Sequence, residues 1–137
     1  LTRTPEHYDV VVTSNMFGDI ATDLASVLQG GMGMAGSGNI GDDHAFFEPV
    51  HGSAPKYAGM NKVNPIASVN SIQMMMDWLG RKNGSDEILQ VAAAIEQSVS
   101  GHLAEGKHLT YDLGGDASCS AVGDLISEKL AVILREF

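Results

Sequence analysis

Sulfhydryl chemistry is almost absent from the sequence, which has a single cysteine, Cys119. One thiol excludes an intramolecular disulfide framework and makes no metal-ligand pattern by itself, so a buried structural thiol is expected. Positive charge is scarce too: 8 Lys and Arg stand against 17 Asp and Glu, a formal net charge of -9. This balance argues against nucleic acid or an anionic membrane as a general partner. An acidic chain that still binds anions must gather its few cations locally, and Lys56 and Lys62, with His51 nearby, form such a group. No apolar run approaches the roughly 18 residues of a membrane helix, and Leu1-Thr-Arg-Thr-Pro5 carries no hydrophobic signal core. A cytoplasmic location is therefore expected, and a first residue of Leu fits a shortened chain.

What is present reads as an ordinary globular composition, 44% hydrophobic and 18% charged over 137 residues. That length suits one domain, residues 1–137, with a real core. There are no repeats or low-complexity tracts.

Tyr8-Asp-Val-Val-Val-Thr13 is β-branched and too apolar for a strand with one wet face, which predicts an internal strand covered on both sides. It feeds a predicted helix from about Gly18 to Gln29, on which Ile20, Leu24, Val27 and Leu28 recur at helical spacing before Gly30-Gly31. Asp19 and Asp23, four residues apart, share one face of that helix and make a candidate hard-metal pair. Acidic residues near a helix start also complement its dipole without binding anything.

The segment Gly30 to Gly41 superficially suggests a dinucleotide fingerprint. No amphipathic helix follows it, however, and glycines that let backbone segments cross closely account for it better. Ala45 to Val50 is a short predicted strand ending at Pro49. Then comes the loop His51 to Gly59, with an imidazole, small residues, an ammonium and a phenol. Such a loop can stack His51 on a base, offer N–H groups to phosphates and bring Lys56 and Tyr57 to a further phosphate. Incidental surface residues would look the same.

Pro65 opens a predicted helix with Ile66, Val69, Ile72, Met76 and Leu79 on one face and Gly80 at its end. Its Met74-Met75-Met76 run reads as core filling. Ser85 signals a third helix that stops at Gly106, and a last one runs from Ser118 or Ser120 through Phe137. Beyond Pro65 no core strand is predicted. The sheet is thus incomplete and needs upstream chain or a second copy, since an internal parallel strand requires neighbours on both edges.

Four stretches together, NMFGDIATD (15–23), QGGMGMAGSGNIG (29–41), FEPVHGSAPKYAGMNKVNPIAS (47–68) and LTYDLGG (109–115), resemble the isocitrate/isopropylmalate dehydrogenase family in order and spacing. The resemblance covers the C-terminal segment of a two-lobed β-decarboxylating dehydrogenase. It implies an α/β fold, part of the large domain of such enzymes, in which helices flank a sheet that is not a Rossmann fold.

The activity implied is oxidation of a 2-hydroxy acid bearing a β-carboxylate, such as 3-isopropylmalate or isocitrate, by hydride transfer to NAD or NADP, followed by decarboxylation. Mg²⁺ or Mn²⁺ serves as the Lewis acid, and hard oxygen ligands suit these ions. By motif, Asp19 and Asp23 match the metal-binding, catalytic aspartates. Glu48 matches a nicotinamide-side position, His51, Gly52, Ser53 and Ala54 surround the adenosine and its phosphates, Asn64 lies at the adenine and Asp112 on the adenosine side. NAD-using members commonly have Asp where Lys56 stands; Lys56 with Tyr57, and Tyr111, favour the 2′-phosphate of NADP. Gly115 departs from this pattern, for NADP-using relatives carry Arg there.

The substrate-sorting residues, the substrate arginines, the proton-handling Tyr and Lys and a third metal aspartate belong to the family's other half. These 137 residues alone are therefore expected not to turn over substrate. A homodimer is implied by the family. Two other readings remain: a non-catalytic nucleotide-binding or regulatory subunit, and a small metal hydrolase using Asp19, Asp23 and His51.

Overall fold

A computed structural model describes residues 1–136. It contains four helices, α1 (Asn15–Ala25), α2 (Ile66–Asn83), α3 (Asp86–Glu105) and α4 (Cys119–Ile133), and two strands, β1 (Gly36–Ile40) and β2 (Ala45–Pro49). The strands form an antiparallel hairpin in the register Gly36↔Pro49 to Ile40↔Ala45, closed by a Gly41 N–H to His44 carbonyl bond of 2.9 Å. The hairpin packs on α2, α2 on α3, and α3 on α4. No helix among the described residues is long and apolar enough to cross a membrane.

The glycines of β1 permit this layering. A Cβ on Gly36 would lie 3.0 Å from the Ser71 backbone nitrogen of α2, and one on Gly38 would lie 3.0 Å from the Phe47 ring. The expected role of the glycine-rich segment, close backbone approach, is what it performs, but as a strand that composition did not announce. The ordinary helix signals hold for α3 and α4: Ser85 accepts from Ile88 N–H, Ser118 accepts from Ala121 N–H, and Gly106 ends α3 in the left-handed region.

The core gathers Met34, Ile66, Val99, Val122 and Ile126, with Val69, Leu103, Leu113 and Ala117 against it. Each such large side chain contributes about 1.5–3 kcal/mol through burial. Met34 brings the glycine-rich segment into this core and Leu113 brings the loop before α4. These two segments are thus anchored from below.

Several expectations are corrected. Residues 8–13 are not a strand: Val10 and Val12 are 80% and 91% exposed, because no described strand offers them the two edges their composition requires. Likewise α1 forms, slightly earlier than predicted, but buries nothing, and Ile20, Leu24, Val27 and Leu28 face solvent. α2 runs through Gly80 to a left-handed cap at Gly84, since Gly80 is the point where Leu89 of α3 presses within 2.8 Å of a would-be Cβ. Its predicted face is interrupted by Ile72, which is exposed. α4 ends at Ile133, Phe137 lies outside the described residues, and Cys119 is half-buried at the helix start.

Candidate functional site

The loop after β2 descends through His51-Gly52-Ser53 into Ala54, a non-glycine residue at φ 46, ψ 57. Left-handed backbone at alanine is unfavourable and persists only where its surroundings impose it. Here it starts the tight turn Pro55–Tyr57, in which Tyr57 N–H bonds the Ala54 carbonyl at 2.9 Å. His51 Nδ1 donates to the Gly52 carbonyl at 2.9 Å, so its proton sits on Nδ1 and Nε2 is the nitrogen left free. Around Gly52 there is open space.

Opposite this loop stand Asn64 and the turn Tyr111–Leu113. The Asn64 amide donates to Asp112 Oδ2 at 3.0 Å across 48 residues of sequence, while its Oδ1 accepts from Ile66 N–H at 3.0 Å. Between the two loops lies a cleft of about 310 Å³. Of the sequence-predicted residues it brings together His51, Gly52, Ser53, Ala54, Tyr57, Asn64, Tyr111 and Asp112, with Met32, Gly33 and Val63 completing the wall.

Cations collect at one end. Lys56 Nζ lies 4.8 Å from the Tyr57 ring centre and Lys62 Nζ 4.7 Å from that of Tyr111, while the two rings are 5.7 Å apart. Hydrogen bonding to Tyr111, then to Lys56, holds the Tyr57 phenol below its ordinary value, and the Tyr111 phenol is correspondingly raised. In a chain of net charge -9 this is a local positive rim suited to an anion.

The remaining predicted residues lie apart from the cleft walls. Glu48 is exposed on β2, paired with Ser37 of β1. Asp19 and Asp23 are exposed one turn apart on α1, and Asp19 Oδ2 accepts from Asn15 at 3.3 Å. Both are hard oxygen donors of the type that Mg²⁺ and Mn²⁺ take. No group of three potential metal-ligating side chains exists among the described residues, so the hydrolase reading lacks the ligand set it needs.

A wider groove, about 510 Å³, runs between α3 and α4 past Ser98, Gly101, His108 and the Glu105–Lys129 ion pair. It has more room but no converging loop backbone and no residue predicted from sequence. The smaller cleft is the better candidate because strained backbone, free imidazole nitrogen and cations meet there.

One contributor escaped sequence reasoning. Asn61, at φ 50, accepts from Ser120 N–H at 2.9 Å and donates to Ser120 Oγ at 2.8 Å. It thereby pins the cleft's lower loop to the start of α4. A Lys-flanked Asn before the helix is the only sequence signal for it, and a weak one.

Residues 1–126 match the family model described as isocitrate/isopropylmalate dehydrogenase. The chain belongs to that family. It is 49% identical over 137 residues to a homoisocitrate dehydrogenase of Methanocaldococcus jannaschii, covering 100% of this chain and 37% of that protein. It is 43% identical to a mitochondrial regulatory subunit of the NAD isocitrate dehydrogenase of Dictyostelium discoideum, covering 99% of this chain and 37% of that one. The crystal structure of isocitrate dehydrogenase from Methylococcus capsulatus superposes with a TM-score of 0.83 at 37% identity, over 94% of this chain and 37% of that one. The α/β character expected from sequence accords with these neighbours, and the family is one of decarboxylating dehydrogenases of isocitrate-type and isopropylmalate-type acids. This chain spans little more than a third of the relatives it matches.

Proposed function

We propose that this chain supplies the adenosine end of a nicotinamide dinucleotide site and two acidic ligands for Mg²⁺ or Mn²⁺ in the oxidative decarboxylation of a 2-hydroxy acid with a β-carboxylate. The supporting observation is the cleft, where the loop His51–Ala54 faces Asn64 and Asp112. Its small residues admit a ligand backbone closely, the His51 ring offers a plane for stacking, and Asp112 accepts from hydroxyl or amine donors. The bound ion supplies Lewis acidity toward the substrate's hydroxyl. Asp19 and Asp23 would hold it, with the remaining ligands supplied from outside this chain.

NADP is the favoured cofactor. Lys56, Tyr57, Lys62 and Tyr111 form a cationic, hydrogen-bonding rim for a 2′-phosphate, whereas no acidic side chain stands at position 56 to reward a free 2′-hydroxyl. The substrate is a malate derivative, isocitrate, 3-isopropylmalate or a homologue of them, and the acting assembly is a homodimer of cytoplasmic location.

Calorimetric titration with NADP and NAD tests the cofactor half, and Lys56→Asp should weaken NADP more than NAD. An equal effect on both overturns the NADP preference. In a turnover assay the chain alone should form no NAD(P)H from isocitrate or 3-isopropylmalate, and measurable turnover refutes its incompleteness. A second reading, a regulatory subunit that binds nucleotide without catalysis, draws on the likeness to the Dictyostelium regulatory subunit. It predicts NADP affinity indifferent to Mg²⁺ and no gain of activity on restoring the rest of an enzyme; retention of Asp19 and Asp23 speaks for the catalytic reading.

A further inference from the structure

Asn64 is 7% exposed, and its side chain is occupied on every side. Oδ1 receives Ile66 N–H, and Nδ2 faces Asp112 Oδ2 at 3.0 Å and Met34 Sδ at 3.7 Å. Its amide therefore has no donor left over to read a ligand. Asp112, by contrast, is exposed, lines the cleft, and has one carboxylate oxygen without a protein donor among the described residues.

Gly33 adds an independent observation. A Cβ there would meet Asp112 Oδ2 at 2.7 Å and the Asn64 side chain at 3.2 and 3.4 Å. Any side chain at this position would push the carboxylate–amide pair away from the backbone it lies against, whatever the φ. Three chain segments meet at one hydrogen bond.

We propose that Asn64 is a positioning residue, acting on nucleotide only by holding the Asp112 carboxylate against Gly33 so that its free oxygen faces the cleft. This rests on the dinucleotide reading above. A carboxylate fixed on one oxygen presents the other in a single direction, whereas an unheld Asp on a surface turn samples several rotamers and loses most of that advantage. The charge-assisted bond from Asn64 is what confines it.

The test is a double-mutant cycle on NADP affinity, read by calorimetry, with Asn64→Ser, Asp112→Ala and the double variant. Serine keeps an oxygen for Ile66 N–H, as serine turns do in place of asparagine turns, but is too short to reach Asp112. A hydrogen bond to a charged group is worth about 1.5–3 kcal/mol, so Asn64→Ser should weaken NADP by roughly 10-fold or more. In the Asp112→Ala background the same substitution should change affinity by less than about 2-fold, because the group it acts through is gone. Additive losses would overturn the proposal by showing that Asn64 contacts nucleotide itself, as would an unchanged affinity in Asn64→Ser.

Gly33→Ala supplies a second variant should Asn64→Ser not fold. It should weaken NADP in the parent and do so much less once Asp112 is alanine; an equal loss in both backgrounds counts against the proposal. Backbone amide spectra without ligand separate this inference from the reading beneath it. Asn64→Ser should shift the amides of Tyr111 to Gly114 whether or not the parent binds NADP, and their staying in place refutes the strut directly. A parent that does not bind NADP, with those amides shifting, condemns the dinucleotide reading alone.

Discussion

Gly115→Ala is the substitution whose consequence can be worked furthest from the geometry. Residues 109–117 fold back on themselves: Gly115 N–H bonds the Thr110 carbonyl at 3.0 Å, and Ala117 N–H bonds the Leu109 carbonyl at 2.9 Å. A Cβ on Gly115 would overlap that same Leu109 carbonyl oxygen and lie 2.6 Å from its carbon and 2.9 Å from its Cβ. All three are backbone or backbone-proximal atoms, so no side-chain rotation relieves the overlap. The loop must open, which forfeits the Ala117 bond at about 0.5–1.5 kcal/mol. Overpacking adds about 1–3 kcal/mol. The sum is roughly 1.5–4.5 kcal/mol, and at roughly 4 °C per kcal/mol for a chain of this size the melting temperature should fall by about 6–18 °C. Differential scanning calorimetry reads the shift, and urea unfolding should show a lowered midpoint with an unchanged slope. Because Tyr111 and Asp112 ride on the same loop, NADP affinity should fall with it. An alanine variant melting within about 1 °C of the parent would show that the loop accommodates a Cβ at this position. The same clash explains why Gly115→Arg should not improve NADP binding, whatever charge it adds.

Other perturbations probe the core and the N-terminal segment. His102 is 1% exposed, and burial first, then Lys129 nearby, holds its imidazole below its ordinary value, against the opposing pull of Glu105. The unfolded state then binds the proton more readily, so stability should be full above the unfolded value of about 6.5 and decline as pH falls through the lower folded value. His102→Phe should flatten that decline in denaturant titrations across pH 7 to 5; a stability rising on acidification would contradict the assignment. Ile66→Ala, at a residue 1% exposed in the core, should cost about 2–5 kcal/mol by denaturant unfolding, and a cost under about 1 kcal/mol would mean that α2 is not seated as described. Val12→Thr, at a side chain 91% exposed, should alter the stability of this chain by less than about 0.5 kcal/mol; a larger loss would show that residues 8–13 are paired after all.

The helical half of the chain was legible because its signals are local. Ser85 and Ser118 as caps, Gly106 as a stop and the apolar spacing of α3 and α4 each depend on residues within a turn or two, and the structure reproduces them. β2 could be read from Phe46, Phe47 and the closing Pro49, but β1 could not: Gly36-Ser-Gly-Asn-Ile40 has no strand composition, and pairing with β2 and contact with α2 override its propensity. Residues 8–13 fail in the opposite sense. Their valines state a correct local preference for buried strand, and nothing in the described residues satisfies it.

At the site, the loop chemistry of His51 to Tyr57 could be read off the sequence, as could the partnership of Lys56 with Tyr57. The convergence of Asn64 with Asp112 across 48 residues could be reached only through family likeness, and the role of Gly33 beneath them not at all, since it is a property of three segments in contact. Asp19 and Asp23 keep the spacing read from sequence but gain no third ligand here.

Amide chemical shifts report whether the cleft between His51–Ala54 and Asn64–Asp112 receives the adenosine end of NADP, as proposed. Titrating NADP into the ¹⁵N-labelled chain of 14.4 kDa should move the resonances of Gly33, Gly52, Ser53, Ala54, Asn64 and Asp112 together, to one common saturation point. Shifts gathered instead along Ser98, Gly101 and Lys129 in the α3–α4 groove, or no shifts at millimolar NADP, would contradict it.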